Sequence, residues 1–254
     1  MDDFSGREGA ALVVGGSGGI GRAIVRMLAE RGSAVAVAHH NNGADQAVQE
    51  VAANGTHGKA YRLDVTDASA CARIVQRACQ DFAGLHTLIY AAGPPVPMRH
   101  LSKVAPEAMG EQVHTDVTGF FNVVHPALPA LRDSGGSIVA VTTAATTRFP
   151  PRDGLASAPK AAIEALVRAL AVEEGRFGIR ANCVGPGMLT DGMAGRLVST
   201  EELDDRALAV TRANIPLGRF GIAADVAEAV CFLASDRAGF ISGQKIDVDG
   251  GWSA

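Results

Sequence analysis

The run Val13-Val14-Gly15-Gly16-Ser17-Gly18-Gly19-Ile20-Gly21 carries the most specific chemical signal in this sequence. It follows an apolar segment of strand length and opens a segment of helical period. Gly15, Gly19 and Gly21 permit a tight turn and a close backbone approach, with Ser17, Gly18 and Ile20 completing the turn. A pyrophosphate charge then sits on the free N–H groups of a helix N-terminus. The chemistry indicated is dinucleotide binding. A carboxylate about 20 residues further on would hold the ribose of NAD and repel the extra phosphate of NADP. Ala38-His39-His40-Asn41-Asn42 stands there instead, with no acid before Asp45. NADP(H) is therefore favoured over NAD(H), with His39, His40 and Asn41 beside the 2′-phosphate; solvated loop histidines would read the same way. Cys71, Cys79, Cys183 and Cys231 form no Cys-x-x-Cys pair and no His lies at zinc-ligand spacing, so reduced thiols and no metal site are expected.

The elements that must hold this turn alternate regularly. Strands are expected at Ala10–Val14, Ser33–Ala38, Lys59–Leu63, Thr87–Ala91, Ser137–Thr142, Arg180–Val184 and Lys245–Val248. Helices are expected at Gly19–Arg31, Ala44–Ala53, Ala68–Phe82, Ala156–Glu174 and Ala223–Leu233, with one long helix around Pro106–Leu131. Short apolar strands separated by helices imply an α/β doubly wound (Rossmann) fold, a seven-stranded parallel sheet flanked by helices. The 254 residues, 47% hydrophobic, suit one domain, and Met188–Ile215 is expected to be a mobile flap over a cleft. Lys plus Arg number 23 against 27 for Asp plus Glu, with no block of like charge, which argues against a nucleic-acid partner. No run is long enough for a membrane span and Met1–Gly9 is unlike a signal peptide, so a cytoplasmic protein is expected.

Taken together, these features resemble the short-chain dehydrogenase/reductases over nearly the whole chain. The resemblance rests on the glycine turn, Leu63-Asp64-Val65, Ala91-Ala92-Gly93, Asn182-Cys183-Val184-Gly185-Pro186-Gly187, Ile215-Pro216-Leu217-Gly218-Arg219 and Asp247-Val248-Asp249-Gly250-Gly251, in that order. It implies that Asp64 and Val65 lie at the adenine and that Ala91, Ala92 and Gly93 line the cofactor. It places Val184, Pro186, Gly187 and Thr190 near the nicotinamide, although Thr190-Asp191 reverses the family's usual acid–Thr order. It also implies a homodimer or homotetramer.

At the chemical end the chain departs from that family. The family's Asn, Ser and Tyr-x-x-x-Lys places carry Asp116, Thr143, Ala156 and Lys160, so only the Lys is unchanged. Ketone reduction creates an alkoxide that must be protonated, and alanine cannot do that. General acid catalysis supplies about 10² to 10⁴ in rate, so its loss costs about 3 to 5 kcal/mol of barrier. Tyr90 and Asp153 are the nearest substitutes in sequence. Reduction of a conjugated carbon–carbon double bond needs that acid less, because charge spreads into an enolate and a water can protonate carbon. Asp116 with Ala156 and Lys160 resembles the peroxisomal-type 2,4-dienoyl-CoA reductases, where an Asp–Lys pair is the working site; Lys160 would also orient the cofactor ribose.

Three readings stay open. One is reduction of an enone or an enoyl or dienoyl thioester. Another is carbonyl reduction with Thr143 or another donor in place of the Tyr. The last is a cofactor-binding pseudo-enzyme or non-redox relative. The substrate is expected to be an apolar small molecule with a carbonyl, met by Met188, Met193 and Leu197, with Arg99, His100 and Arg148 available to an acidic head group.

Overall fold

Five apolar residues in a row form β1 (Ala10–Val14), and all five are buried. Alternate side chains on a strand face opposite ways. Ala10, Leu12 and Val14 therefore enter one core while Ala11 and Val13 enter another, which requires helices on both faces of the sheet. The computed structural model, which describes residues 2–40, 43–191 and 205–254, provides them. After β1 the strands are β2 (Val35–His39), β3 (Gly58–Arg62), β4 (Leu85–Tyr90), β5 (Ser137–Val141), β6 (Arg180–Pro186) and β7 (Lys245–Val248). The described helices are α1 (Gly19–Glu30), α2 (Ala44–Ala53), α3 (Ala68–Phe82), α4 (Pro106–Val113), α5 (Gly119–Ser134), α6 (Gly154–Glu174), α7 (Asp205–Ala213) and α8 (Ala223–Ala234).

Every strand pair is parallel, in the order β3-β2-β1-β4-β5-β6-β7. The apolar stripes of α3, α5 and α6 close one face, and those of α1, α2 and α8 the other. The chain reverses its direction of travel across the sheet between β1 and β4. In such sheets ligands bind beyond the carboxyl ends of the strands at that switch point. No described helix is long and apolar enough to cross a membrane.

Two expected features change. The single helix over Pro106–Leu131 is instead α4, a π turn at His114–Thr118 and α5. Thr115, Val117 and Thr118 are β-branched and Gly119 follows, so the wider turn falls where helix propensity is weakest. The Met188–Ile215 flap is not irregular throughout, because 205–213 form α7 and Leu189 bridges Gly221. Ala207, Leu208 and Ala209 are strong helix formers that override the loop reading. Met193, Leu197 and Asn41 lie outside the described residues. Smaller shifts occur elsewhere: α6 begins two residues earlier than expected, and β2 starts at Val35.

Candidate active site

The glycine turn closes between β1 and α1. Gly15 has φ +84°, and a Cβ there would lie 2.7 Å from the Ala91 carbonyl oxygen, so the turn is pressed against the end of β4. A Cβ on Gly21 would lie 2.1 Å from the Gly15 carbonyl oxygen, which holds α1 close to the turn. Gly18 caps α1 without a side-chain hydrogen bond, and no acid occupies the first turn. The helix therefore offers its N–H groups and positive dipole end outward, which fits a dinucleotide pyrophosphate. Asp64 follows β3 and is exposed. Its carboxylate accepts from the Thr66 hydroxyl at 2.7 Å and the Thr66 N–H at 2.9 Å, which holds its pKa below the usual range, with His40 and His114 adding positive charge. His39 ends β2 opposite Arg62.

The chemical end lies on the same strand edge. Asp116 sits in the π turn, 1% exposed, and its Oδ1 faces Lys160 Nζ at 3.2 Å. Lys160 comes from the second turn of α6 and also donates to the Ala92 carbonyl oxygen at 3.3 Å. The other carboxylate oxygen, Oδ2, accepts from Gln112 Nε2 of α4 at 2.8 Å. Gly93 leaves room for the pair, since a Cβ there would stand 3.3 Å from Lys160 Nζ and 3.7 Å from Asp116 Oδ1. Asp116, Lys160, Ala92 and Gly93, which are scattered in sequence, are thus brought together. Gln112 was not among the expected site residues; its signal was a polar side chain four places before Asp116, on the same helical face.

The remaining candidates divide. Ala156, one turn before Lys160, presents only a methyl group. Thr143 follows β5 and is half-buried; its Oγ1 accepts from the Ala145 N–H at 3.1 Å, which leaves its own O–H able to donate. Tyr90 is a core residue, 1% exposed and edge-on to Phe120 at 5.3 Å, and burial drives its phenol well above the usual range. Asp153, in the loop before α6, has its carboxyl pKa raised by burial. Pro186 and Gly187 leave the end of β6, where the Gly187 N–H donates to the Val248 carbonyl oxygen at 3.0 Å. Val184 is buried behind them, and its carbonyl accepts from the Thr142 N–H at 2.8 Å.

Thr190 is exposed and its N–H donates to the Gly221 carbonyl at 2.9 Å, while the Asp191 carboxylate accepts from the Ala223 N–H at 2.8 and 2.9 Å. Asp191 therefore caps α8, a local task for the acid in the reversed pair. Arg148 is engaged, donating to the Trp252 carbonyl at 2.7 Å with its guanidinium 5.3 Å from that ring's centre; Arg99 and His100 are exposed. All four cysteines are free; burial pushes the Cys71 thiol to about 11 and those of Cys183 and Cys231 to about 12, unsuited to nucleophilic work at neutral pH.

Comparison with known proteins completes this picture. The family model described as "Enoyl-(Acyl carrier protein) reductase" matches residues 14–253. Versicolorin reductase 1 of Aspergillus parasiticus is 34% identical over 253 residues, covering 95% of each chain. The 3-oxoacyl-(acyl-carrier-protein) reductase of Staphylococcus aureus is 34% identical over 245 residues, covering 95% of this chain and 97% of that one. A short-chain dehydrogenase from Burkholderia cenocepacia, solved in complex with NADP, superposes with a TM-score of 0.88 at 29% identity, covering 98% of this chain and 99% of that one. These relatives do not carry the narrower likeness to dienoyl-CoA reductases, which rests on Asp116, Ala156 and Lys160 and on the runs Lys160–Ala165, Ala171–Glu173 and Ile179–Asn182. With the glycine turn, the strand order and the lysine of α6 all in place, the chain belongs to the short-chain dehydrogenase/reductase family of oxidoreductases.

Proposed function

We propose that this protein is an NADP(H)-dependent reductase of a conjugated carbon–carbon double bond, in an enone or an enoyl or dienoyl thioester. One observation carries the reading: an Asp116–Lys160 pair at 3.2 Å, its carboxylate buried and its ammonium part-buried, stands where the Tyr place is an alanine. The dinucleotide, when bound, supplies a hydride. The chain's own residues then have two tasks. The Lys160 ammonium, only 14% exposed, sets a positive field in which a spread enolate charge is stabilised without reorganisation. Asp116 holds that ammonium in place and orders a water as the proton source for carbon. The Thr143 hydroxyl donates to the substrate carbonyl oxygen. His39, His40 and Asn41, with no acid among them, support NADP(H), as does the NADP complex of the Burkholderia relative. Family membership supports a homodimer or homotetramer.

A second reading, carbonyl reduction, is favoured by the names of the 3-oxoacyl reductase relatives, with Thr143 or another donor in place of the missing Tyr. NADPH oxidation against a panel of enones, enoyl thioesters and ketones decides, with products assigned by NMR. Saturated ketones or thioesters support the proposal, and alcohols support the second reading. Asp116→Ala and Lys160→Ala are each expected to lower kcat/KM by about 10² or more. Full activity in both variants overturns the site assignment, and tight NADPH binding with no turnover on any acceptor promotes a non-redox role.

A further inference from the structure

Gln112 is a neutral polar residue buried on α4. Its amide donates to Asp116 Oδ2 at 2.8 Å, while Oδ1 of the same carboxylate meets Lys160 Nζ at 3.2 Å. The two oxygens are divided between a neutral donor from α4 and a charged donor from α6. A second donor, from a different helix, adds a restraint on rotation of the carboxylate about its χ2 axis. The π turn between α4 and α5 still leaves these i,i+4 side chains in contact. We infer that Gln112 is a positioning residue: it locks the Asp116 carboxylate with Oδ1 toward Lys160, and so sets where the ammonium stands against the substrate. The inference rests on the reading of that pair as the working centre.

The test uses three variants. Gln112→Leu is expected to lower kcat about tenfold with the KM for NADPH within about twofold. In an Asp116→Ala background the same change is expected to alter kcat less than about twofold, because the positioned group is gone. Gln112→Glu keeps the shape, and its carboxyl donates only when protonated. Its activity relative to wild type should therefore rise as pH falls from about 8 to about 5.5, and its deficit in Tm should shrink in step. An equal loss with and without Asp116, or a pH-flat ratio for Gln112→Glu, overturns the inference. If wild type reduces no acceptor, the functional reading fails by itself. The Tm deficit of Gln112→Glu then decides the hydrogen bond alone, and a deficit unchanged by pH refutes it.

Discussion

Replacing Lys160 by methionine removes the charged partner of the buried Asp116 carboxylate. The Asp116 side chain is 2% exposed, and once Lys160 Nζ is lost only Gln112 remains to it as a described donor. An unpaired buried charge typically costs about 3 to 5 kcal/mol, and the near-dry carboxylate places Lys160→Met in that range. Asp116→Leu is milder. The ammonium keeps the Ala92 carbonyl at 3.3 Å, and its 14% exposure lets it turn toward water, so about 2 kcal/mol is expected. The double variant removes both charges and is expected within about 1 kcal/mol of wild type. Urea unfolding of the four proteins without cofactor measures the cycle, and Lys160→Met should lower Tm by about 10 °C. Single variants each within about 0.5 kcal/mol of wild type, or a double variant equal to their sum, would show that the two groups are not a coupled buried unit.

Two further outcomes follow from other parts of the molecule. His86 is buried against Phe4, with rings 5.8 Å apart, and burial lowers its pKa from 6.5 to about 4. The unfolded chain therefore binds the proton first, so this contribution is complete above about pH 6.5 and declines by about 3 kcal/mol as pH falls to 4; His86→Phe should flatten that window in pH-dependent urea titrations, and an unchanged slope contradicts it. At the opposite strand edge, a Cβ on Gly21 would lie 2.1 Å from backbone, so Gly21→Ala should weaken NADPH binding at least about tenfold by fluorescence titration; wild-type affinity would refute the tight-turn account.

Much of the fold was legible because its signals are local. The bounds of β1, β7, α2 and α3 coincide with the expected ones, since apolar runs and helical periods there end at clear breakers or caps, such as the Asp67 side chain accepting from the Ala70 N–H. The candidate site was legible only by residue type. Asp116 and Lys160 could be named, but their 3.2 Å separation depends on a π turn that no 3.6-residue period announces. Gln112 escaped because a polar residue on a helix reads as solvated until its tertiary surroundings are known. Gly119 is another position whose role only the fold reveals: it admits Val65 and Tyr90 of the same chain, whose atoms would come within 2.8 and 3.1 Å of a Cβ.

A π turn is in effect one residue spliced into an α-helix, and each residue of an α-helix advances its phase by about 100°. The splice at His114–Thr118 lets α5 keep its apolar stripe on the sheet while α4, in a different phase, buries Gln112. Deleting a single residue such as Val117 would restore an unbroken helix at the price of that independence: with the stripe of α5 anchored, the preceding helix would rotate and carry Asp116, together with Gln112, away from the lysine of α6. The length of one turn thus couples the chemistry of the cleft to the phasing of a helix.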